Sequence, residues 1–388
     1  MRASIPSVLL VLACGSTESP APLEEKPPVL PPEPYARPAY TLLSETGLYS
    51  DFGTRTPSED VLPFAPANVL WSDDASKERW LHLPEGTQID TTDMNRWVFP
   101  IGTKVWKQFS LNGVVLETRL IERYGTGRED YWMGSFVWDE AHSDATFIEA
   151  GAADVLSTGH DVPNEDQCWS CHNGENGRLL GVSALQLSAP SSGEVSLARL
   201  AEEGRLSAPP PADSRYLPPG DELTSAALGY LHANCGHCHN SRGTAWPDTQ
   251  MVLRLNVDEL PGAGGDPGSG VAAEATQLYE SVVAQAVQYF RDEDYPIRVV
   301  PQHPEQSAII GRMQVRGPRA QMPPLGTELV DSTGVDLITR WIASLPELPV
   351  SDAGTPPDSA ASGAPDAAAP PSANTPSDAG SPSDAGTP

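Results

Sequence analysis

The sequence predicts an α+β chain of several domains, an antiparallel β-rich N-terminal domain followed by a mainly α-helical one. Three observations predict it. Residues 40–150 break into short runs of β-branched and aromatic residues separated by turn signals. Two downstream segments, 221–234 and 334–345, repeat apolar residues at helical spacing. Pro- and Gly-rich stretches such as Pro209-Pro210-Pro211 and Pro218-Pro219-Gly220 mark the borders. The 388 residues suffice for about two or three domains once the low-complexity ends are set aside.

The chain opens with Met1-Arg2 and an apolar run, 5–13, too short to span a bilayer. It ends in Val11-Leu12-Ala13-Cys14-Gly15, which resembles the lipobox of bacterial lipoproteins, with Val11 where leucine is usual. The resemblance implies removal of a signal peptide, 1–13, and a lipid on Cys14; the alternative is an ordinary signal peptide cleaved near Ala13. Either predicts export, and the first places the protein on the bacterial envelope, at the outer membrane, facing periplasm or surface. Residues 14–39 form a Pro-rich tether. Residues 349–388 repeat Ser-Asp-Ala-Gly and hold nothing to bury, so a disordered Ala/Pro/Ser/Asp tail is expected. A net charge of −28 argues against nucleic acid as a partner.

Within the β-rich domain, 40–155, strand composition recurs at 97–100, 103–111, 114–124, 131–139 and 145–150. Asn112-Gly113 is a two-residue hairpin signal between the second and third of these runs. A sandwich or partial barrel is the expected form. Trp71, Trp80, Trp97, Trp106, Trp132 and Trp138 fall here, and packing is their expected use, with a glycan- or ligand-binding surface as the alternative.

Two pentapeptides carry the chemistry: Cys168-Trp169-Ser170-Cys171-His172, in segment 156–218, and Cys235-Gly236-His237-Cys238-His239. Two residues between the cysteines match the separation of the vinyl groups of one haem, and the next residue, a histidine, falls under the iron. Cys168, Cys171, Cys235 and Cys238 are therefore candidate thioether anchors of two c-type haems, and His172 and His239 candidate iron ligands. Of five cysteines only Cys14 remains, so no disulfide framework is left. A zinc site built from both Cys-x-x-Cys pairs leaves the two following histidines unexplained. A thioredoxin-like pair lacks the βαβ pattern around it, and two structural disulfides would close very tight loops.

In domain 219–348, Asp221 is the expected N-cap of a helix over 221–234 with Leu223, Ala226, Ala227, Tyr230 and Leu231 on its buried face. That helix delivers the second pentapeptide at its C-terminal end. A closing helix over 334–345 presents Leu337, Ile338, Trp341, Ile342 and Leu345 on one face. Between them Met322-Pro323-Pro324 offers a thioether on a stiffened loop, so Met322 is the expected distal ligand of the second haem. The long segment 244–319 contains an expected helix over 274–289. The Gly-rich loop 174–181 is suited to lie against a porphyrin edge.

The order Phe99-Pro-Ile-Gly-Thr-Lys, Glu117-Thr-Arg-Leu, Phe136-Val-Trp-Asp, Val162-Pro-Asn, the two Cys-x-x-Cys-His runs, Pro304-Glu-x-Ser and Met322-Pro-Pro resembles a group of exported bacterial di-haem cytochromes c. The resemblance covers residues 40–347. It implies a class I cytochrome c-like C-terminal domain, two covalent haems and electron exchange with redox partner proteins of the cell envelope, with no settled substrate. Two other roles stay open: a peroxidase-like di-haem oxidoreductase whose first iron is open, and an interaction module whose β-rich domain docks on a surface protein or glycan. For the first iron the unassigned histidines are His82, His142, His160, His232, His237 and His303, and the methionines Met94, Met133, Met251 and Met313; five-coordination is the other possibility. Glu165, Asp166 and Glu175 are the acidic residues near that run.

A thioether opposite histidine favours Fe(II) more than a second imidazole does. Met322→His should lower the midpoint potential of one haem while both haems stay attached. An unchanged potential in a redox titration would show that Met322 is not bound.

Overall fold

Asn112 and Gly113 both take positive φ, 52° and 82°, the backbone that a two-residue hairpin needs and that asparagine and glycine adopt at low cost. This turn sets the register of the main sheet. The computed structural model describes residues 32–188, 195–212, 214–262, 270–289, 294–317 and 320–347. The expected signal peptide, Cys14, most of the tether and the C-terminal tail lie outside these.

Two short strands, β1 (Tyr49–Asp51) and β2 (Thr56–Pro57), pair with each other. A six-stranded antiparallel sheet follows in simple meander order. Its strands are β3 (Val61–Pro63), β4 (Ser76–His82), β5 (Lys104–Leu111), β6 (Val114–Arg123), β7 (Tyr131–Trp138) and β8 (Ala145–Phe147). A last hairpin joins β9 (Ala152–Val155) to β10 (His160–Val162). The sandwich or barrel expected from sequence is instead one open sheet covered on both faces. The reason lies in the alternation of its long strands, which send apolar side chains both ways. One face carries Trp80, Trp106, Leu120, Trp132, Phe136 and Trp138, covered by Leu43, Leu48 and Tyr49 from the chain before it. The other face carries Leu81, Val105, Ile121 and Met133. Residues 97–100 form no strand, only a bridge from Val98 to Asp90. Four of the six tryptophans thus pack one face, Trp97 joins the opposite core, and Trp71 is half-buried.

The helices are α1 (Glu165–His172), α2 (Leu197–Glu202), α3 (Glu222–Asn234), α4 (Trp246–Thr249), α5 (Gln277–Val282), α6 (Ala308–Gln314) and α7 (Ser332–Ser344). As expected, Asp221 caps α3, its carboxylate accepting from the Thr224 N–H at 2.8 Å. Leu228 rather than Ala226 completes the buried face. Helix α7 packs on α3 where the Tyr230 hydroxyl donates to Asp331 at 2.9 Å, and Asp331 also caps α7 through the Gly334 N–H at 2.8 Å. A Cβ at position 334 would collide with that hydroxyl, so glycine sets this approach. The helix expected over 274–289 is only α5. Beyond Val282 the chain turns at Ala284, φ 57°, and forms isolated bridges from Val283 to Val299 and from Ala286 to Ile297, the first between β-branched residues.

Leu81, Val105 and Ile121 from the sheet belong to the same buried cluster as Leu228, Leu231, Ile338 and Trp341 from α3 and α7. The borders expected near 155 and 218 therefore do not separate hydrophobic cores. Among the described residues no helix is long and apolar enough to cross a membrane.

Trp106 is 1% exposed and donates its indole N–H to the Thr46 hydroxyl at 3.1 Å. Trp106→Ala should cost about 3–5 kcal/mol, as a large-to-small change in a packed core does, read as a lowered denaturant midpoint.

Candidate functional site

Each pentapeptide is presented by a helix. Asn164 caps α1 by accepting from the Gln167 N–H at 3.0 Å, and the Gln167 side chain accepts from the Asn164 N–H at 2.9 Å. Cys168, Cys171 and His172 thus fall along the single short helix α1. The second pentapeptide leaves the end of α3, where the Cys235 N–H still donates to the Leu231 carbonyl at 2.9 Å.

The two runs meet. Side-chain ligand atoms of Cys171, His237 and Cys238 lie within 4.8 Å of one another. Gly174, just after the first run, packs on the backbone of the second, and a Cβ there would overlap the His237 carbonyl oxygen. The Gly-rich loop 174–181 begins at this contact, and its far end, Leu179 to Gly181, lines the adjoining cavity. The Thr244 hydroxyl adds a bond to the Ser170 carbonyl at 3.3 Å.

A cavity of about 690 Å³ opens beside this contact, and both runs line it. That volume is in the upper part of the usual range for ligand pockets, about 300–1,000 Å³. Cys168, Cys171, His172, Cys235, Cys238 and His239 all reach its wall, as does Met322 with Pro323 and Pro324. The Met322 loop is held by its own N–H, which donates to the Arg312 carbonyl at 3.0 Å, and by the Thr327 hydroxyl donating to the Pro323 carbonyl at 2.9 Å.

His172 directs Nδ1 at the Arg178 carbonyl, 2.6 Å away. A carbonyl only accepts, so Nδ1 carries the proton and Nε2 keeps its lone pair for a metal. Arg178 is itself fixed, fully buried, donating to the Asn173 carbonyl at 2.6 Å and lying over the Trp169 ring at 5.0 Å. His239 Nδ1 stands 3.4 Å from the Thr249 hydroxyl. Burial pushes the His172 and His239 imidazoles down to about 4, which keeps both neutral and able to ligate at pH 7. Burial also raises the thiols of Cys168 and Cys235, to about 11 and about 12. Cys171 is lowered by its hydrogen bond with Cys238, whose own thiol is raised in turn.

Of the histidines and methionines left open for the first iron, His160, His237, Met133, Met251 and Met313 line the cavity. The others are engaged elsewhere or absent from its wall. His82 pairs with Asp60 at 3.0 Å, His142 stacks on Trp138, and exposed His303 meets Glu305 at 3.1 Å. His232 accepts the Leu255 N–H on Nδ1 at 3.1 Å, and Met94 does not reach the cavity wall.

A group that sequence reasoning missed comes from the sheet. Glu117 is fully buried and meets Arg119 at 2.6 Å and His160 Nε2 at 2.9 Å. Burial pushes its carboxyl up, but Arg119 and His160 more than reverse this, to about 2. Arg119, Lys107 and Arg79 line the cavity beside it. Their signal was present: each sits at the same alternating position as Leu81, Val105 or Ile121, on the inward face.

Cys171, His237 and Cys238 supply three metal-ligand atoms. A structural zinc site closes with four, and this set would leave Cys168, His172, Cys235 and His239 without a role. Comparison of the chain with protein-family models, curated proteins and solved structures finds no match.

Burial holds His232 at about 4 as well, against an ordinary 6.5. The unfolded chain therefore takes up protons first, and stability is complete above about 6.5 and falls as the pH drops toward 4. Each such histidine contributes up to about 1.4 kcal/mol per pH unit in that window. His232→Asn keeps an acceptor for the Leu255 N–H and should remove one proton's worth of the slope, measured by urea unfolding across the window.

Proposed function

We propose that the chain is an exported di-haem c-type cytochrome that passes electrons between redox proteins of the bacterial envelope. The observation that carries this is the meeting of both Cys-x-x-Cys-His runs on one cavity, with Cys171 and Cys238 side by side. In this reading Cys168 and Cys171 anchor one haem and Cys235 and Cys238 the other. His172 and His239 are the proximal ligands and Met322 the distal ligand of the second. A bound haem supplies one-electron chemistry at iron.

The residues around the cavity support the assignment. His172 is already in the tautomer that leaves Nε2 for iron, oriented by a backbone carbonyl as metal-bound histidines usually are. Both proximal candidates are neutral at pH 7. Met322 reaches the same cavity as His239, on a loop fixed at both ends by hydrogen bonds, between α3 and α7 in sequence. The packing of α7 on α3 supports a cytochrome c-like arrangement of the helical half. A lipid on Cys14 would tether the protein to the membrane through the Pro-rich segment.

One observation favours a second reading, a peroxidase-like oxidoreductase with an open first iron. His160, Glu117 and Arg119 form a buried imidazole–carboxylate–guanidinium group, with His160 and Arg119 on the cavity wall and Arg119's charge acting on Cys168. Such a group can hold or transfer a proton beside a small ligand.

An optical spectrum of the reduced holoprotein, a covalent-haem count and addition of carbon monoxide separate these. Two haems and an unchanged spectrum under carbon monoxide are the expected result. Rapid binding at one haem moves the oxidoreductase ahead. A count other than two sinks both readings and restores the zinc and disulfide alternatives.

A further inference from the structure

The inner face of the sheet carries its side chains in cross-strand rows. Leu81, Val105 and Ile121 form one, Arg79, Lys107 and Arg119 the next, and Lys77, Phe109 and Glu117 the one beyond. The last two rows hold four cations and one carboxylate. The Phe109 ring takes Arg119 at 4.3 Å and Lys107 at 4.8 Å, so charges from two strands gather over one ring. Arg79, Lys107 and Arg119 line the cavity, and the Arg119 side chain is 29% exposed, open enough for a free ion to arrive from solvent.

Like charges directly opposite each other destabilise a sheet, and more so where water is scarce. The protein leaves this row short of counter-charge. Glu117 gives both carboxylate oxygens to Arg119, at 2.6 and 2.9 Å, and one of them also to His160 at 2.9 Å. Among the described residues Arg79 donates only to the Lys77 carbonyl, at 3.5 Å, and no carboxylate pairs with Arg79 or Lys107. Of the carboxylates on the cavity wall, Asp73 and Asp161 accept from the N–H groups of Leu329 and Asp154, both at 2.8 Å, and Glu328 is exposed. The other two arginines of the wall are held by carbonyls, Arg298 by Ser281 at 2.6 Å and Arg312 by Ala320 at 3.0 Å.

We infer that the row Arg79–Lys107–Arg119 binds a free inorganic oxyanion, an ion with two or more oxygens sharing the negative charge. Adjacent strands set the three cations side by side at a spacing of about 5 Å, so different oxygens of one ion meet different donors. Arg119 keeps Nη1 for it, since its Nε and Nη2 are spent on Glu117. The inference rests on the sheet and the cavity alone. A covalent-haem count other than two fails the di-haem reading and leaves this one standing.

The test is calorimetric titration of the full-length protein, as isolated, with inorganic phosphate and with nitrate, at an ionic strength held constant with chloride. At least one of the two should bind saturably and raise the midpoint of urea unfolding as its concentration rises. Lys107→Gln and Arg79→Gln should each weaken that binding about tenfold or more, the loss expected of one charge-assisted contact. Without oxyanion their unfolding midpoints should be no lower than that of the wild type, because each relieves repulsion between like charges. Arg79→Lys retains the charge and should retain most of the affinity, and Arg340→Gln, at an exposed side chain on α7, should retain all of it. No saturable binding of either ion by the wild type would overturn the inference and mean that a group the protein already carries fills the row. Binding that both Gln variants leave unchanged would overturn it as an adventitious ion only. Lowered midpoints in the Gln variants would make the row a structural element and overturn it as well.

Discussion

The backbone of Gly174 against the carbonyl of His237 is the contact on which the rest of the structure depends. It brings together two pentapeptides that lie far apart in the chain, and it admits no side chain at the junction. With the runs in contact, Cys171 and Cys238 become neighbours and a single cavity serves both. The hydrogen bonds of Asn240 to the Gly236 and His237 carbonyls, at 2.7 and 3.1 Å, stiffen the second run just where the first one presses on it. On separate domains the two pentapeptides would meet only as often as the domains did. Here one core, from Leu81 and Val105 to Ile338 and Trp341, holds them in register.

The sheet does more than support the helices. Its outer face is sealed by aromatic residues, Trp106 and Trp138 among them. On its inner face Leu81, Val105, Ile121 and Met133 belong to the shared core, and Val105, Ile121 and Met133 also line the cavity together with Arg79, Lys107 and Arg119. The chain as a whole carries −28, yet this wall is positive. Bulk acidity serves solubility, whereas a few cations fixed on neighbouring strands set the field that a cavity ligand meets. The buried Glu117–His160–Arg119 group sits at the edge of that field and ties β6 to β10 just before the first pentapeptide.

The chemistry-bearing pentapeptides, the Met322 loop, the Asn112-Gly113 turn and the cap at Asp221 were legible because each is a local device. A two-residue turn, an N-cap and a Cys-x-x-Cys-His spacing are all satisfied within a few residues of chain. Helices α3 and α7 were legible for the same reason, through apolar residues spaced along one face. What was misread depended on partners far away. The helix expected over 274–289 stops at Val282 because Val283 and Ala286 find bridge partners in Val299 and Ile297. Ala226 was expected inside and is exposed, since the direction from which neighbours approach α3 is set by α7 and the sheet.

By itself the sequence marked the two Cys-x-x-Cys-His pentapeptides as the candidate site and showed where the long strands and the two principal helices run. Only the tertiary structure decided that the β-rich and helical parts share one core, that the two pentapeptides touch, and that a row of cations lines the cavity they share. The physical reason is one of range. Spacing along the chain encodes contacts within a turn or a hairpin, while the pairing of Arg79, Lys107 and Arg119, or of Gly174 with His237, exists only after strands and helices have packed.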